Sequence, residues 1–158
     1  MTKAGDSPLD LLMHRPPMVM LSEVLHVDGV GSAIAVADVS ERSIFHDREL
    51  GGVPACAAIE YMAQTVALMV GENRRSKGLP PKVGFLLGTR KMDVLIPAFR
   101  SDTRYVVEAK CVYVDDEFAS FDCTITNPAG ETVASASLTA FQPPGDPKDF
   151  AEKMREMR

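Results

Sequence analysis

Cysteine is scarce and odd in number: Cys56, Cys111 and Cys123 are the only three, and none forms a closely spaced pair. This argues against a disulfide framework and against a zinc site, and predicts three reduced, mostly buried thiols. Positive charge is also in short supply. Lys and Arg total 17 against 22 Asp and Glu, for a formal net charge of -5, so the chain has no overall basic field to neutralise a phosphate backbone. Nucleic acid is not expected as a partner. No segment reaches the apolar length of a membrane span, and the opening MTKAGDSPLDLLMHRPP lacks both the long apolar run and the small-residue cleavage site of a secretory signal. A cytoplasmic protein without membrane contact is the expectation. Internal repeats are absent as well.

What is present fits one ordinary domain. Over 158 residues, 46% are apolar and 25% charged, which suffices for a single core without a linker. Segment 8–14 is a short amphipathic helix candidate, capped by Asp6 or Ser7 and ended by Pro16 and Pro17. Segments 1–16 and 143–158 are read as an N-terminal helical segment and a polar C-terminal tail. Two partly alternating, β-branched runs at 18–27 and 31–39 flank Asp28-Gly29, a strong hairpin signal.

The period then changes. Segment 54–71, PACAAIEYMAQTVALMVG, has no internal Pro or Gly and opens with Pro at a favoured first helical position. Its apolar residues point in nearly every direction, which predicts a central helix buried within the domain. Gly78, Pro80 and Pro81 end it, with Arg74, Arg75 and Lys77 near its negative pole. Strand candidates follow at 82–95, 103–114, 117–127 and 131–141. Two strands, one apolar helix and four further strands predict an α+β hot-dog fold, an antiparallel sheet wrapped around a central helix. Such a sheet leaves long edges, so a dimer or a larger assembly is expected.

With only three histidines, His14, His26 and His46, a histidine-based site has few alternatives. His46 lies in the loop IFHDRELGGVP before the helix, and Glu60 follows it by fourteen residues, on the helix. Loops on a rigid scaffold are the usual place for functional groups, and a carboxylate within an apolar helix calls for a reason. Burial would disfavour its ionised form, leaving Glu60 able to donate a proton while His46 accepts one. The amides of Ala55 and Cys56, at the positive end of the helix, could hold a developing enolate oxygen. Base, acid and oxyanion donor together suit loss of water from a 3-hydroxyacyl thioester. No metal or organic cofactor is needed for that chemistry. His26 is read as solvated, and His14 with Arg15 as packing the N-terminal segment.

The stretch HDRELGGVPACAAIEYMAQ resembles the active-site loop and helix of the 3-hydroxyacyl-acyl-carrier-protein dehydratases of bacterial fatty acid synthesis. In that family a His stands eight residues before a Pro and fourteen before a Glu or Asp, as His46, Pro54 and Glu60 do here. The resemblance implies catalytic His46 and Glu60, an amide at Ala55 that binds the thioester carbonyl, and a substrate-binding role for Gln64. It also implies an acyl carrier protein as partner. Arg74, Arg75, Lys77, Lys82, Arg90, Lys91, Arg100 and Arg104 could meet that acidic partner if several cluster, although a solvated face is the simpler reading. Asp47, Arg48 and Glu49 stand where the family usually has Phe, Pro and Gly. GVPACAAIEYMAQTVA with GFLLGTRK is similar to a divergent branch, the dehydratase-like hot-dog proteins of aryl polyene synthesis, which can work with a second hot-dog subunit. A hot-dog thioesterase and a non-catalytic partner subunit are the rival readings.

Overall fold

The computed structural model describes residues 6–29, 31–145 and 155–156. Most of the expected tail, 143–158, lies outside the described residues. The elements run β1 (Glu23–Val27), β2 (Ser32–Val39), β3 (Gly52–Pro54), α1 (Ala58–Ser76), β4 (Phe85–Val94), β5 (Ala98–Arg100), β6 (Thr103–Val114), β7 (Phe118–Thr126) and β8 (Thr132–Phe141). Six strands form one antiparallel sheet in the order β1-β2-β6-β7-β8-β4, while β3 and β5 form a separate two-stranded ribbon. Helix α1 packs on β2, β6 and β7. This is the hot-dog arrangement expected from the order of strands and helix.

The hairpin between β1 and β2 forms where Asp28-Gly29 placed it. Gly29 takes φ 78°, and Asp28 Oδ1 accepts from the amides of Gly31 and Ser32 at 2.6 and 3.1 Å. Strand β1 begins only at Glu23, not at 18. The backbone at Met18 and Met20 is bonded to the side chain of Gln64 on α1, so this stretch lies against the helix. The N-terminal helix reduces to one 3-10 turn, Pro8–Asp10, capped by Ser7 as expected.

The helix also departs from expectation at its start. Pro54 is not its first residue: it sits in β3, opposite Ala98 in β5, and a 3-10 turn at Ala55–Ala57 leads into α1. The ribbon of β3 and β5 was not expected, because three-residue strands carry too little pattern to read. Nor is α1 buried all round. It buries Tyr61, Met62, Thr65, Leu68 and Met69 against the sheet, whereas Glu60, Ala63, Ala67 and Val70 are only part-buried. Those four recur at i, i+3, i+7 and i+10, so they form one stripe on one side of the helix.

Aromatic contacts fix the first turns of α1. Tyr61 meets Phe99 edge-on at 5.2 Å between ring centroids, and Phe99 meets Tyr105 at 5.0 Å, an arrangement favoured by the ring quadrupoles. Burial, with a smaller contribution from Tyr105, pushes the Tyr61 hydroxyl up to about 12, so it stays protonated. Cys123 is buried, and its thiol is likewise pushed up to about 12 by burial and by Asp122. The expectation of mostly buried thiols fails at Cys56, which is exposed on the 3-10 turn, while Cys111 is part-buried.

Toward the C-terminal end of α1, Gly71 lets the N-terminal segment touch the helix. A Cβ there would stand 2.2 Å from the backbone oxygen of Leu11, which is core-packed and cannot swing aside. Ala in place of a helical Gly would ordinarily stabilise by about 1 kcal/mol. Over-packing against backbone costs about 1–3 kcal/mol, so the clash outweighs that gain. Gly71→Ala is therefore expected to lower the thermal midpoint by several degrees, measured by calorimetry. An unchanged or raised midpoint would show that the segment of Leu11 is not anchored on α1.

Candidate functional site

Glu60 sits on the first turn of α1, at one end of a groove of about 480 Å³. The walls are mostly apolar: Ala63, Val66 and Val70 from α1, Phe85 and Leu86 from β4, and Leu138 from β8. An extended apolar ligand with a polar head at the Glu60 end would fit such a space. The Glu60 side chain is 32% exposed in the single chain, so the burial expected for it is not present here.

What holds Glu60 is Gln64, one turn later and wholly buried at 0% exposure. Its Oε1 accepts from the Met20 amide at 2.9 Å, and its Nε2 donates to the Met18 carbonyl at 2.7 Å. Those two backbone groups fix which way the amide faces, since a flipped Gln would set donor against donor and acceptor against acceptor. The remaining Nε2 hydrogen goes to Glu60 Oε1 at 2.7 Å. Glu60 Oε1 must therefore accept. When the carboxyl is protonated, its hydrogen belongs on Oε2. Gln64, expected to bind substrate, is not among the residues that line the groove: it is wholly buried and bonded to Met18, Met20 and Glu60.

His46 is positioned differently. It follows Phe45, whose φ of 67° is costly for a bulky residue, and its Nε2 lies 2.7 Å from Ser101 Oγ in the turn between β5 and β6. Asp47 next to it holds the loop closed. Its Oδ1 accepts from the amides of Glu49 and Leu50, and its backbone exchanges two bonds with Gly52. Asp47 thus sets the turn with its carboxylate. Gly52 has no alternative residue, because a Cβ there would stand 2.0 Å from the Phe99 carbonyl oxygen.

Within one chain the structure does not bring His46 to Glu60. His46 is not part of the groove wall, whereas His14 is, and His14 Nε2 lies 3.7 Å from Glu60 Oε1. Sequence reasoning read His14, 46 residues before Glu60, as packing the N-terminal segment rather than facing that carboxylate, and did not single out Ser101, 55 residues after His46. No local pattern announces contacts of that range.

The two expected oxyanion donors also separate. The Ala55 amide is bonded to the Pro97 carbonyl at 3.1 Å, as part of the β3–β5 ribbon, so it is not available to a ligand. Cys56 is exposed on the 3-10 turn that opens the helix, where amides have no intrahelical acceptor. His26 lies near Asp28 and is half-exposed, in keeping with a solvated side chain. Among the basic residues, Arg104 pairs with Glu23 and Asp38, Arg75 with Asp6 and Glu72, and Lys91 with Asp93, while Lys82 lines the groove. Arg74 and Lys77 lie together beside a second groove, near the end of α1. Among the described residues there is no metal-binding cluster, and no helix is long and apolar enough to cross a membrane.

The family model of the ApeP-like proteins, described as ApeP dehydratase, matches residues 7–152. A 3-hydroxyacyl-[acyl-carrier-protein] dehydratase FabZ from Roseobacter denitrificans is 30% identical over 79 residues, 48% of this chain and 52% of that protein. The chain thus spans about half the length of this relative in the match. Among solved structures, a chain of the dehydratase heterocomplex ApeI:P from Xenorhabdus doucetiae superposes with a TM-score of 0.85 at 25% identity, covering 94% of this chain and 97% of that one. A hypothetical thioesterase with coenzyme A from Streptococcus pneumoniae shares the fold at a TM-score of 0.61 and 18% identity, covering 78% and 87%. A match along nearly the whole chain, on a fold and a helix-borne acid already in place, shows that this protein belongs to the ApeP-like dehydratase family.

Proposed function

We propose that this chain contributes an active site for dehydrating 3-hydroxyacyl thioesters carried by acyl carrier protein, within an assembly of two or more hot-dog chains. The observation that carries the reading is Glu60, set at the end of an apolar groove with Oε1 held as an acceptor by Gln64. In the proposed step, His46 removes the proton from carbon 2 of the acyl group. Hydroxide leaves carbon 3, takes the proton of Glu60 Oε2 and departs as water, giving the trans-2-enoyl thioester. The Cys56 amide holds the charge that gathers on the carbonyl oxygen. With Nε2 at Ser101, Nδ1 is the other nitrogen through which His46 can act.

An assembly is part of the proposal because one chain keeps His46 and Glu60 apart. Edge strand β1 is short, carries a register shift and is bridged by Asp6, all of which protect it. Edge strand β4 carries two register shifts of its own, but it is ten residues long, has no bridging segment such as Asp6 among the described residues, and exposes Phe85, Leu86 and Leu87 in succession, which invites strand pairing. The heterocomplex of the structurally similar ApeI:P supports a second hot-dog chain, identical or not, as the partner. A non-catalytic role beside such a partner is the competing reading, favoured by the engaged Ala55 amide.

The decisive test combines two inactive variants. If His46 of one chain serves Glu60 of another, His46→Ala and Glu60→Gln should each be dead as homodimers. Refolded together, about half the dimers are mixed with one intact site each, so about a quarter of wild-type activity should return. Confirmed mixing by mass spectrometry without recovery would rule out that pairing in a homodimer.

A second measurement separates dehydration from thioester hydrolysis. Incubated with 3-hydroxyacyl and saturated acyl thioesters, the protein should produce enoyl absorbance from the first and no free thiol from either. Thiol release from both would establish a thioesterase instead. For the edge, Leu87→Lys should shift the protein to a smaller species in sedimentation, since a charge on an edge strand opposes pairing. An unchanged mass would exclude β4 as the contact.

A further inference from the structure

His14 is the one imidazole that meets the acid within a single chain. It lines the same groove, with Nε2 3.7 Å from Glu60 Oε1 and its side chain 35% exposed. Its place is fixed from both sides. Before it, Leu11 is core-packed and lies against Gly71 of α1. After it, the Arg15 guanidinium donates to the carbonyls of Leu12 and His14, at 2.9 and 2.8 Å, holding the turn closed. A histidine that merely filled space would not need its ring aimed at the carboxylate.

The carboxylate oxygen that the ring faces settles the tautomer. Nδ1 of His14 is buried and has no hydrogen-bond partner among the described residues. Nδ1 is therefore unsatisfied in either tautomer, as an orphan donor or an orphan acceptor, and does not choose between them. Glu60 Oε1 does, because it already accepts from Gln64 and presents only lone pairs, so the hydrogen belongs on Nε2, the nitrogen that faces it. At 3.7 Å this contact is longer than a hydrogen bond, as contacts in ligand-free sites often are before substrate closes them.

We propose that His14 is a positioning residue that donates through Nε2 to Glu60 Oε1. This rests on the reading of Glu60 as the acid. Gln64 already donates to the same oxygen at 2.7 Å. With two donors on Oε1, the transferable hydrogen is confined to Oε2, the oxygen left to face the substrate hydroxyl. A single donor fixes the oxygen less firmly, because the carboxyl can still rotate about its last bond.

The test uses the full chain in its active assembly and has one readout independent of activity. With only three histidines, nitrogen-15 labelling of the imidazoles resolves each ring, and His14→Gln assigns the signal of His14. The expected result is the Nε2–H tautomer; an Nδ1–H tautomer overturns the proposal. In turnover, His14→Leu should lower kcat about ten-fold with KM little changed, the size expected for one lost hydrogen bond to an ionisable group. His14→Gln, whose amide can still donate, should recover most of that rate. Equal rates for His14→Leu and wild type, or equal losses in folded His14→Leu and His14→Gln, would overturn it. If the wild-type assembly does not dehydrate, or Glu60→Gln keeps its rate, the functional reading fails instead, and the tautomer still decides the geometry at His14.

Discussion

A single buried amide organises the functional half of this molecule. Gln64 has no exposed surface, so each of its polar atoms must find a partner inside the protein or cost about 1–3 kcal/mol. It finds them in Met18, Met20 and Glu60. Those bonds tie the chain before β1 to α1 and hold the Glu60 carboxylate at the same time. Replacing Gln64 would orphan a backbone donor and a backbone acceptor together. Stability and the orientation of Glu60 are thus consequences of one constraint.

The close approach at Gly71 extends the same logic along the helix. Only a residue without Cβ lets Leu11 lie on α1, and from Leu11 it is three residues to His14. The N-terminal segment is therefore one wall of the groove, anchored at Gly71 and at Gln64, with His14 between the two anchors. At the other side of the site, the ribbon of β3 and β5 does comparable work. It holds Gly52 against Phe99, and the Ala55 amide beside it is engaged by Pro97, while Cys56, the next residue, is exposed on the 3-10 turn.

The long elements were legible in the sequence because their periods are long. Strands β6, β7 and β8 fall within a residue of the runs that predict them, and Asp28-Gly29 marks its hairpin through a side-chain bond that any Asp in that setting can make. Helix α1 was legible in kind but not in its ends. Pro54 is equally at home at a helix start and in an edge strand, and tertiary pairing with Ala98 decides between them. Of the candidate site, Glu60 and Gln64 were legible as an i, i+4 pair on one helix face. The contacts of His14 with Glu60 and of Ser101 with His46 were not, because each joins segments that only the folded sheet brings together. The exposure of Glu60 was misjudged for a similar reason: its stripe on α1 faces a groove rather than the sheet.

The groove can be tested directly by a crystal structure of the assembled protein with a stable 3-hydroxyacyl-pantetheine mimic. The acyl chain is expected along Ala63, Val66 and Val70, with the hydroxyl on carbon 3 within hydrogen-bond reach of Glu60 Oε2 and the carbonyl oxygen at the Cys56 amide. His46 of a neighbouring chain should approach carbon 2. A mimic bound elsewhere, or bound in the groove with its hydroxyl turned away from Glu60, would contradict this arrangement.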